Sequence, residues 1–396
     1  MPRFEPFTGI RYDLDRSRLD AVAAPPYDVL SDRDLDELTA RDEHNIVRID
    51  VPREADGADR YAAAAARLRH WLAEGVLRRD PTPTFTLYRM AFTDEAGRHR
   101  ETVGVVGGLE VVDEGAGGVL PHERTTPKAK TDRLDLTRTT EANLSPVWGL
   151  SLASGLSELL AEPGEAAGAV TVDGVTHTVE RVADPERIAA IGAAIGAEPV
   201  VIADGHHRYA ISRTYRDETR ARTGRHDTAA ELTMTYVGEL VEEQLSIEAI
   251  HRLYTDVDAD ALRTRLAEFF DLDDAGAVTP AITLEMVRRG SLCLVASDGS
   301  GTWLTPRDDR FPGIRDLDSM RLEHALDGFD HTVSYQHGVS HVLDAVSSGA
   351  AAAGVLIRPV SIAEIRRTAD EGLLMPPKST FFTPKLRTGL VIRPLD

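Results

Sequence analysis

Apolar and polar residues alternate over short stretches of the chain, and such alternation predicts β-strands. Other stretches repeat apolar residues every three or four positions, which predicts amphipathic helices. The predicted strands are 46–51, 84–92, 102–112, 147–152, 199–203, 232–240, 282–287, 292–297 and 351–357, with a hairpin over 170–182. The predicted helices are 34–41, 60–75, 131–143, 184–196, 209–222, 259–270, 317–326, 339–347 and 362–371, with a helix and loop over 156–168. Because strands and helices do not alternate as a regular βαβ series, the pattern predicts a mixed α+β fold.

The charge of the chain narrows the classes of partner. Asp and Glu number 65 against 45 Lys and Arg, which gives a formal charge of −20. A field of this sign repels nucleic acid unless basic residues are segregated on one face, and no basic block is long enough for that. A local cluster of cations can still hold one phosphate, because short hydrogen bonds outweigh a screened net field. We therefore expect no nucleic-acid partner, whereas a nucleotide ligand is compatible with this charge.

The cysteine content and the apolar runs of the chain indicate the cellular compartment of the protein. Cys293 is the single cysteine, so an intrachain disulfide and a paired-cysteine metal knuckle are both excluded. Residues 1–15 have no apolar core like that of a signal peptide, and no uninterrupted apolar stretch reaches about 18 residues. We expect a cytoplasmic protein without a membrane partner.

The sequence Asp204-Gly205-His206-His207-Arg208 follows a short buried strand and precedes a predicted helix. A glycine at such a turn lets the backbone approach a ligand, while the helix N-terminus offers free N–H groups and a positive dipole end. Arg208 can bind phosphate oxygens in a fork, the histidines can donate or exchange protons, and Asp204 can hold Mg²⁺ or accept a proton. An Asp helix cap followed by two surface histidines is the alternative explanation. We expect this turn to join a buried strand to a helix and to open into the main pocket.

A second segment, 121–133, concentrates ionisable side chains in a loop and helix entry. Glu123 is a candidate general base for a hydroxyl group, and Lys130 and Arg133 are candidate phosphate contacts. A solvated loop explains the same composition equally well. If the segment is functional, it should approach the Asp204 to Arg208 turn, because phosphoryl transfer needs a base and cations around one anion.

Two further segments are candidates. The aromatic and proline-rich stretch 375–385 carries Lys378 and Lys385, although docking of a strand onto the core is its more ordinary role. The stretch 24–29 forms a proline-stiffened turn that exposes Asp28, and a simple strand entry is equally compatible with it.

Taken together, several motifs resemble a widespread prokaryotic family, domain-of-unknown-function family 1015, some members of which are labelled ParB-like. The resemblance runs in order over nearly the whole chain. It rests on residues 25–29, 122–123, Thr125, 130–134, 142–146, 203–209 and 375–386.

The turn at 204–208 is in addition similar to the phosphate-binding turn of the ParB/sulfiredoxin superfamily. The sulfiredoxin branch carries a reactive cysteine where this chain has His206, so sulfiredoxin chemistry is not available here. Free-serine kinases belong to the same superfamily, and they phosphorylate an amino-acid hydroxyl with ADP or ATP and a carboxylate base. The resemblance implies a ParB/sulfiredoxin-like nucleotide-binding core with additional α+β elaborations.

These expectations combine into a small-molecule kinase that uses ATP or ADP with Mg²⁺ and acts on a small hydroxyl compound, with free serine or a related amino acid as candidate. The predicted catalytic residues are Glu123, Asp204, His206 and His207, with Asp204 also as the metal ligand. The predicted nucleotide contacts are His122, Lys130, Arg133, Gly205, Arg208, Lys378 and Lys385. The predicted substrate contacts are Asp28, Asn143 and Thr380.

The chain length, about two to three times a usual domain, allows one large or two medium domains. We place the nucleotide-binding and catalytic region at 1–240, and a C-terminal α+β region at 241–396 that contributes 375–386 to the site. No repeat or low-complexity linker marks the boundary, and homodimerisation is left open.

Two alternative functions remain. A ParB-like nucleotide-binding regulator or nucleotidase would use the same turn without a phosphorylated small product. A metal-dependent hydrolase would use His122, Asp204, His206 and His207 as ligands. Adjacent histidines on an extended backbone point in different directions, which disfavours their binding one ion together.

Overall fold

The computed structural model describes residues 1–54, 59–94, 97–124 and 130–396, without the side chains of Lys130 and Thr131. The chain divides into two compact units. The first unit comprises Met1–Leu245 and Pro384–Asp396, and the second comprises Ser246–Thr383. Helices and strands are mixed in both units, so the predicted α+β class is confirmed. The ParB/sulfiredoxin-like character of the core stays a prediction.

The helices and strands are numbered here in chain order. The helices are α1 (Leu19–Val22), α2 (Asp32–Arg41), α3 (Val47–Asp50), α4 (Arg60–Ala73), α5 (Lys130–Thr140), α6 (Leu156–Ala161), α7 (Pro185–Gly196), α8 (His206–Thr223), α9 (Ala259–Leu266), α10 (Ile282–Arg289), α11 (Asp318–Ala325), α12 (Val339–Ser347) and α13 (Ile362–Asp370). The strands are β1 (Phe4–Glu5), β2 (Ile10–Tyr12), β3 (Leu77–Arg79), β4 (Phe85–Thr93), β5 (His99–Glu110), β6 (Val119–Pro121), β7 (Ala142–Asn143), β8 (Val147–Ser151), β9 (Glu165–Val172), β10 (Val175–Val182), β11 (Val200–Asp204), β12 (Leu232–Glu239), β13 (Ser246–Glu248), β14 (Ile250–Thr255), β15 (Phe270–Ala277), β16 (Leu292–Val295), β17 (Ser300–Pro306), β18 (Thr332–His337), β19 (Ala353–Leu356), β20 (Phe381–Thr383) and β21 (Arg393–Pro394). Within the described ranges, no helix is long and apolar enough to cross a membrane.

The first unit is built on a nine-stranded sheet. The strand order is β6-β11-β8-β12-β5-β4-β10-β9, and β1 pairs with β5. The pairs β6 with β11 and β8 with β12 are parallel. Because parallel strands end at the same edge, the residues that follow β6 lie beside those that follow β11. This pairing brings two of the predicted functional segments together.

Helices α6 and α7 pack on the large sheet through buried apolar side chains. Leu156, Leu160, Ile191 and Ile195 join sheet residues such as Phe85 in one apolar cluster. Asp184 caps the N-terminus of α7, because its carboxylate accepts a hydrogen bond from the N–H of Arg187. The burial of this apolar face stabilises the edge of the unit that carries β6 and β11.

The second unit contains a six-stranded antiparallel sheet in the order β15-β17-β16-β19-β14-β18. Two apolar clusters form its core. One contains Tyr254 and Leu322, and the other contains Met286 and Val342. The short strands β13 and β20 pair separately.

Two predicted strands are wrong. The range 46–51 forms the short helix α3, because Oδ1 of Asn45 accepts a hydrogen bond from the Val47 N–H and satisfies a donor of the first turn. The range 282–287 belongs to helix α10, in which Ile282 and Met286 are buried at a spacing of four residues. Both runs contain only six residues. Such a run is too short to distinguish the period of a strand from that of a helix, and each was assigned to a strand.

The close packing between β5 and β12 in the large sheet can be tested by substitution of two glycines. Gly104 of β5 lies opposite Gly238 of β12, and a Cβ on Gly104 would lie 2.3 Å from the ring of the fully buried Tyr236. A Cβ on Gly238 would instead meet its nearest atom at 3.6 Å, an ordinary contact. We expect Gly104→Ala to lower the free energy of unfolding by about 2 kcal/mol or more, because the core has no room for the methyl group.

Gly238→Ala is the matched control, and its effect should stay within about 1 kcal/mol. Urea unfolding of the three proteins measures both values. Equal stabilities of the two variants would contradict the described packing.

Candidate functional site

The predicted strand, turn and helix at 204–208 are confirmed. Strand β11 ends at Asp204, Gly205 adopts a φ of 86°, and α8 begins at His206. A Cβ on Gly205 would lie 3.0 Å from Cζ and Nε of Arg208, so the guanidinium group lies directly against the turn. The left-handed backbone favours glycine at this position, and a Cβ there would in addition press on the guanidinium group of Arg208.

Asp204 is the centre of an ionic cluster. Its Oδ2 accepts a hydrogen bond from Nζ of Lys385 at 3.0 Å and one from Nη2 of Arg208 at 3.4 Å, while Oδ1 accepts from the Gly205 N–H at 2.8 Å. Burial alone would raise the pKa of Asp204, but the charges of Lys385 and Arg208 together hold it well below its ordinary value. Asp204 is therefore an ionised carboxylate that neutralises two cations, which makes it a weak base.

His122 connects the segment after β6 to this turn. Its Nδ1 donates a hydrogen bond to the carbonyl oxygen of Ile202 at 2.5 Å, and its ring lies 4.9 Å from the ring of His206. This geometry places the proton of the neutral imidazole on Nδ1 and leaves Nε2 as an acceptor. Oε2 of Glu123 lies 4.0 Å from Nε2 of His122. The predicted approach of this segment to the turn is confirmed for 122–123, whereas the Lys130 side chain lies outside the described residues.

Both histidines are uncharged at neutral pH. Burial lowers the pKa of His122 to about 4 and the pKa of His206 well below its ordinary value. Nε2 of His206 is buried and has no hydrogen-bond partner within the described part of the chain. His206 therefore places an uncharged ring nitrogen without a described partner at the first position of helix α8.

A cavity lies beside the turn and is lined by residues from several segments of the first unit. It contains about 450 Å³ of empty space, part of which is open to solvent. Helices α5 and α8, which pack against each other, contribute one arginine each. The polar residues of the wall include Tyr27, Asp50, Arg133, Asn143, Ser145 and Arg208, together with Thr137, Ser212 and Thr233.

Arg208 and Arg133 are held by different partners. Nη1 of Arg208 donates to the carbonyl oxygen of Pro146, and its Nη2 lies 3.8 Å from Oδ2 of Asp28. The guanidinium group of Arg133 lies 4.4 Å above the ring of Tyr27, and its Nη1 lies 3.3 Å from Oδ1 of Asp50. Two cations from separate helices therefore border one cavity.

One donor of this cavity is unused. Nε of Arg208 is buried and has no hydrogen-bond partner among residues that the structure describes. The side chain of Arg208 is 12% exposed, so water does not readily accept a hydrogen bond from this Nε–H group. Burial lowers the pKa of Arg208, but Asp204 and Asp28 outweigh that effect and raise it, so the group stays a cation. A buried cation with a free donor is favourable for an anion.

The remaining predicted residues are distributed as follows. Asn143 lines the cavity, and its Oδ1 accepts a hydrogen bond from the Met234 N–H at 3.0 Å. His207 follows His206 on α8 and is partly buried. Lys378 and Thr380 belong to the second unit, and their assignment to the site stays a prediction.

Three of the wall residues that were not predicted as site residues are Tyr27, Asp50 and Ser145. Tyr27 stands next to the predicted Asp28, so the proline-stiffened turn was a usable signal. Asp50 stood inside the range assigned wrongly to a strand. Ser145 belongs to the motif 142–146 that carries the family resemblance, but nothing in its local pattern indicated a cavity.

The residues predicted as metal ligands do not form a three-ligand cluster. Among the described residues, no group of three or more His, Cys, Asp and Glu side chains is placed to hold a metal ion. The histidine pair and Asp204 therefore give no support to the metal-dependent hydrolase.

The buried His122 predicts a pH dependence of stability. Its pKa is about 4 in the folded protein, against about 6.5 in an unfolded chain. Between these values the unfolded chain binds one more proton, so the stabilisation is complete above pH 6.5 and is lost as the pH falls towards 4. At about 1.4 kcal/mol per pKa unit, His122 contributes a loss of about 3 kcal/mol over this window.

Replacing His122 by Gln should therefore reduce the slope of unfolding free energy against pH between 4 and 6.5. His226→Gln, at an exposed position, controls for the removal of an imidazole. Denaturant unfolding at several pH values measures the slopes. A slope unchanged by His122→Gln would show that this imidazole titrates alike in both states.

The chain is similar to several solved structures at low identity. A free serine kinase in complex with AMP is 12% identical, and the likeness covers 67% of this chain and 84% of that chain with a TM-score of 0.37. A conserved hypothetical protein from Pyrococcus furiosus is 12% identical, with coverage of 67% and 87% and a TM-score of 0.37. SbnI with a C-terminal truncation from Staphylococcus aureus is 13% identical, with coverage of 73% and 87% and a TM-score of 0.40. Because each TM-score lies below 0.5, none of the three supports a statement about substrate or activity.

The family is shown by the sequence itself. No curated protein matches the chain. Residues 4–327 match the model of a family described as "Protein of unknown function (DUF1015)", which covers most of the chain and includes the turn at 204–208. The predicted membership is confirmed: the chain belongs to the DUF1015 family.

Proposed function

We propose that the first unit is a phosphotransferase that binds ATP or ADP and phosphorylates a small hydroxyl compound, with free serine or a related amino acid as the first acceptor to test. The observation that carries this proposal is the pair of arginines, Arg133 and Arg208, on one cavity. Phosphoryl transfer requires little covalent chemistry from the protein, and it depends on positioning and on neutralising the charge of the phosphates.

The turn at 204–208 supports phosphate binding by three independent features. Arg208 is a planar donor fork held against the turn, and its Nε has no partner in the described structure. Gly205 keeps the backbone open, and the 18-residue helix α8 begins directly after it. Asp28 lies 3.8 Å from Nη2 of Arg208, beyond normal hydrogen-bond distance, so a phosphate oxygen can replace this contact at low cost.

In the proposed reaction, the terminal phosphorus forms a bond to the acceptor oxygen as its bond to the leaving nucleotide oxygen breaks. The proton of the acceptor hydroxyl passes to a carboxylate. We assign Glu123 as this base rather than Asp204, because Lys385 and Arg208 hold the pKa of Asp204 low and so make it a weak acceptor. A Mg²⁺ ion bound to the phosphates would take Asp204 as its protein ligand, since one or two carboxylates suffice for this ion.

The nucleotide site predicts the effect of Arg208→Lys. Lysine keeps the charge but cannot form a bidentate fork, so affinity for ATP or ADP should fall by about tenfold to a hundredfold. Isothermal titration calorimetry in the presence of Mg²⁺ measures this change. Arg222→Lys, at an exposed position of the same helix, is the matched control and should leave affinity unchanged. Unaltered nucleotide binding by Arg208→Lys would refute the assignment of the turn.

The proposed transfer predicts a new phosphate ester. Wild-type protein with ATP or ADP, Mg²⁺ and a panel of hydroxyl compounds that includes serine should produce a phosphomonoester signal in ³¹P NMR. Glu123→Gln should lower the rate by about a hundredfold or more at unchanged nucleotide affinity, because the proton acceptor is lost. The exposed Glu114→Gln is its control.

Two results would contradict this assignment. Ester formation at an undiminished rate by Glu123→Gln would overturn the role of Glu123. Tight nucleotide binding without any ester from the panel would favour the nucleotide-binding regulator, and release of inorganic phosphate alone would favour the nucleotidase.

A further inference from the structure

The second unit has a cavity of its own. It lies between strands β14 and β18 and helix α11 with the loop that follows, and it contains about 760 Å³ of empty space that includes open solvent. Its apolar wall comprises Leu322, Leu326, Phe329 and Val333. Its charged residues are Arg252, Glu323 and Asp327. The nucleotide site described above makes no use of this cavity.

Arg252 is the deepest charged residue of this cavity. It is 5% exposed, and burial of a guanidinium group is costly unless partners orient it. Nη1 donates to the carbonyl oxygens of Ile250 and Lys378, the latter at 3.2 Å, and the guanidinium group lies 4.8 Å above the ring of Tyr335. The side chain is therefore fixed in one orientation on the cavity wall.

The segment 375–380 supports the same wall. Lys378, whose carbonyl group binds Arg252, has a φ of 58°, a left-handed conformation that is uncommon for a residue with a side chain. Oγ of Ser379 lies 3.4 Å from Oγ of Ser319, which also lines the cavity. The proline-rich motif near the C-terminus thus has a structural role within the second unit, which is to hold Arg252 and Ser319.

Carboxylates line the same cavity as Arg252. They belong to Glu323 and Asp327. Glu323 is exposed on α11, and Asp327 follows on the loop, also exposed. The cavity therefore presents one buried cation, two carboxylates at its rim and an apolar wall.

We propose that this cavity binds a free amino acid with an apolar side chain. Arg252 binds the carboxylate in its planar fork, Glu323 and Asp327 bind the ammonium group, and the side chain packs against Phe329 and the neighbouring leucines. Leucine and phenylalanine match this wall, whereas glycine and serine leave it unfilled.

Calorimetric titration of the full chain with single amino acids, without nucleotide, tests this site. Leucine or phenylalanine should bind at least about tenfold more tightly than glycine or serine, because of the apolar area that they bury. The methyl ester and the N-acetyl derivative of the same amino acid should each bind at least about tenfold more weakly, since each removes one of the two charges. Equal binding of the esters, or no binding of any amino acid, would overturn the proposal.

Variants locate the binding in the second unit. Arg252→Lys should weaken it by about tenfold or more, and Arg289→Lys, which alters an arginine above the ring of Trp303 outside the cavity, should not. Because Arg252 is buried, its variant must first show wild-type thermal unfolding. Glu323 is exposed, so Glu323→Gln tests the site without a risk of misfolding, and Glu371→Gln is its control. Undiminished amino-acid binding by Glu323→Gln would also contradict the proposal. These titrations contain no nucleotide. A failure to bind amino acids would therefore leave the phosphotransferase proposal intact, and a failure of phosphoryl transfer would leave the amino-acid site intact.

Discussion

The burial of Arg208 is the constraint on which the organisation of the first unit depends. A guanidinium group removed from water costs several kcal/mol unless carboxylates and carbonyl groups surround it. Asp204 contributes one charge at 3.4 Å, the Pro146 carbonyl accepts from Nη1, and Asp28 lies at 3.8 Å. Gly205 leaves room for the same group, because a Cβ there would press on it. Residues from three separate parts of the sequence, around 28, 146 and 204–208, thus surround one buried charge.

That arrangement neutralises the cation without using all of its donors. Nε of Arg208 has no partner among the described residues, and Arg133 borders the same cavity from a neighbouring helix. Lys385 pairs with Asp204 on the other side of this ion pair. The first unit therefore places two arginines on one cavity, each of them paired with a carboxylate, within a chain whose formal charge is −20. Local pairing rather than the net charge decides which ligand such a site attracts.

Local sequence signals predicted the strand, glycine turn and helix at 204–208, because the turn depends on neighbours within a few residues. They did not predict that β6 would pair with β11, a contact between segments about eighty positions apart. The return of Arg393 to pair with Asn143 is likewise a long-range pairing that no local pattern contains. Asp50 was missed for a different reason. Residues 46–51 alternate like a strand, yet the Asn45 side chain binds the first turn of helix α3 in this range.

The most direct test of the central claim is a crystal structure of the protein with ADP or a non-hydrolysable ATP analogue and Mg²⁺. Phosphate oxygens should lie about 3 Å from guanidinium nitrogens of both Arg133 and Arg208, and Nε of Arg208 should donate to one of them. The contact between Asp28 and Arg208 should have opened. A nucleotide bound elsewhere, or phosphates that contact neither arginine, would contradict the claim that this cavity is the phosphate site.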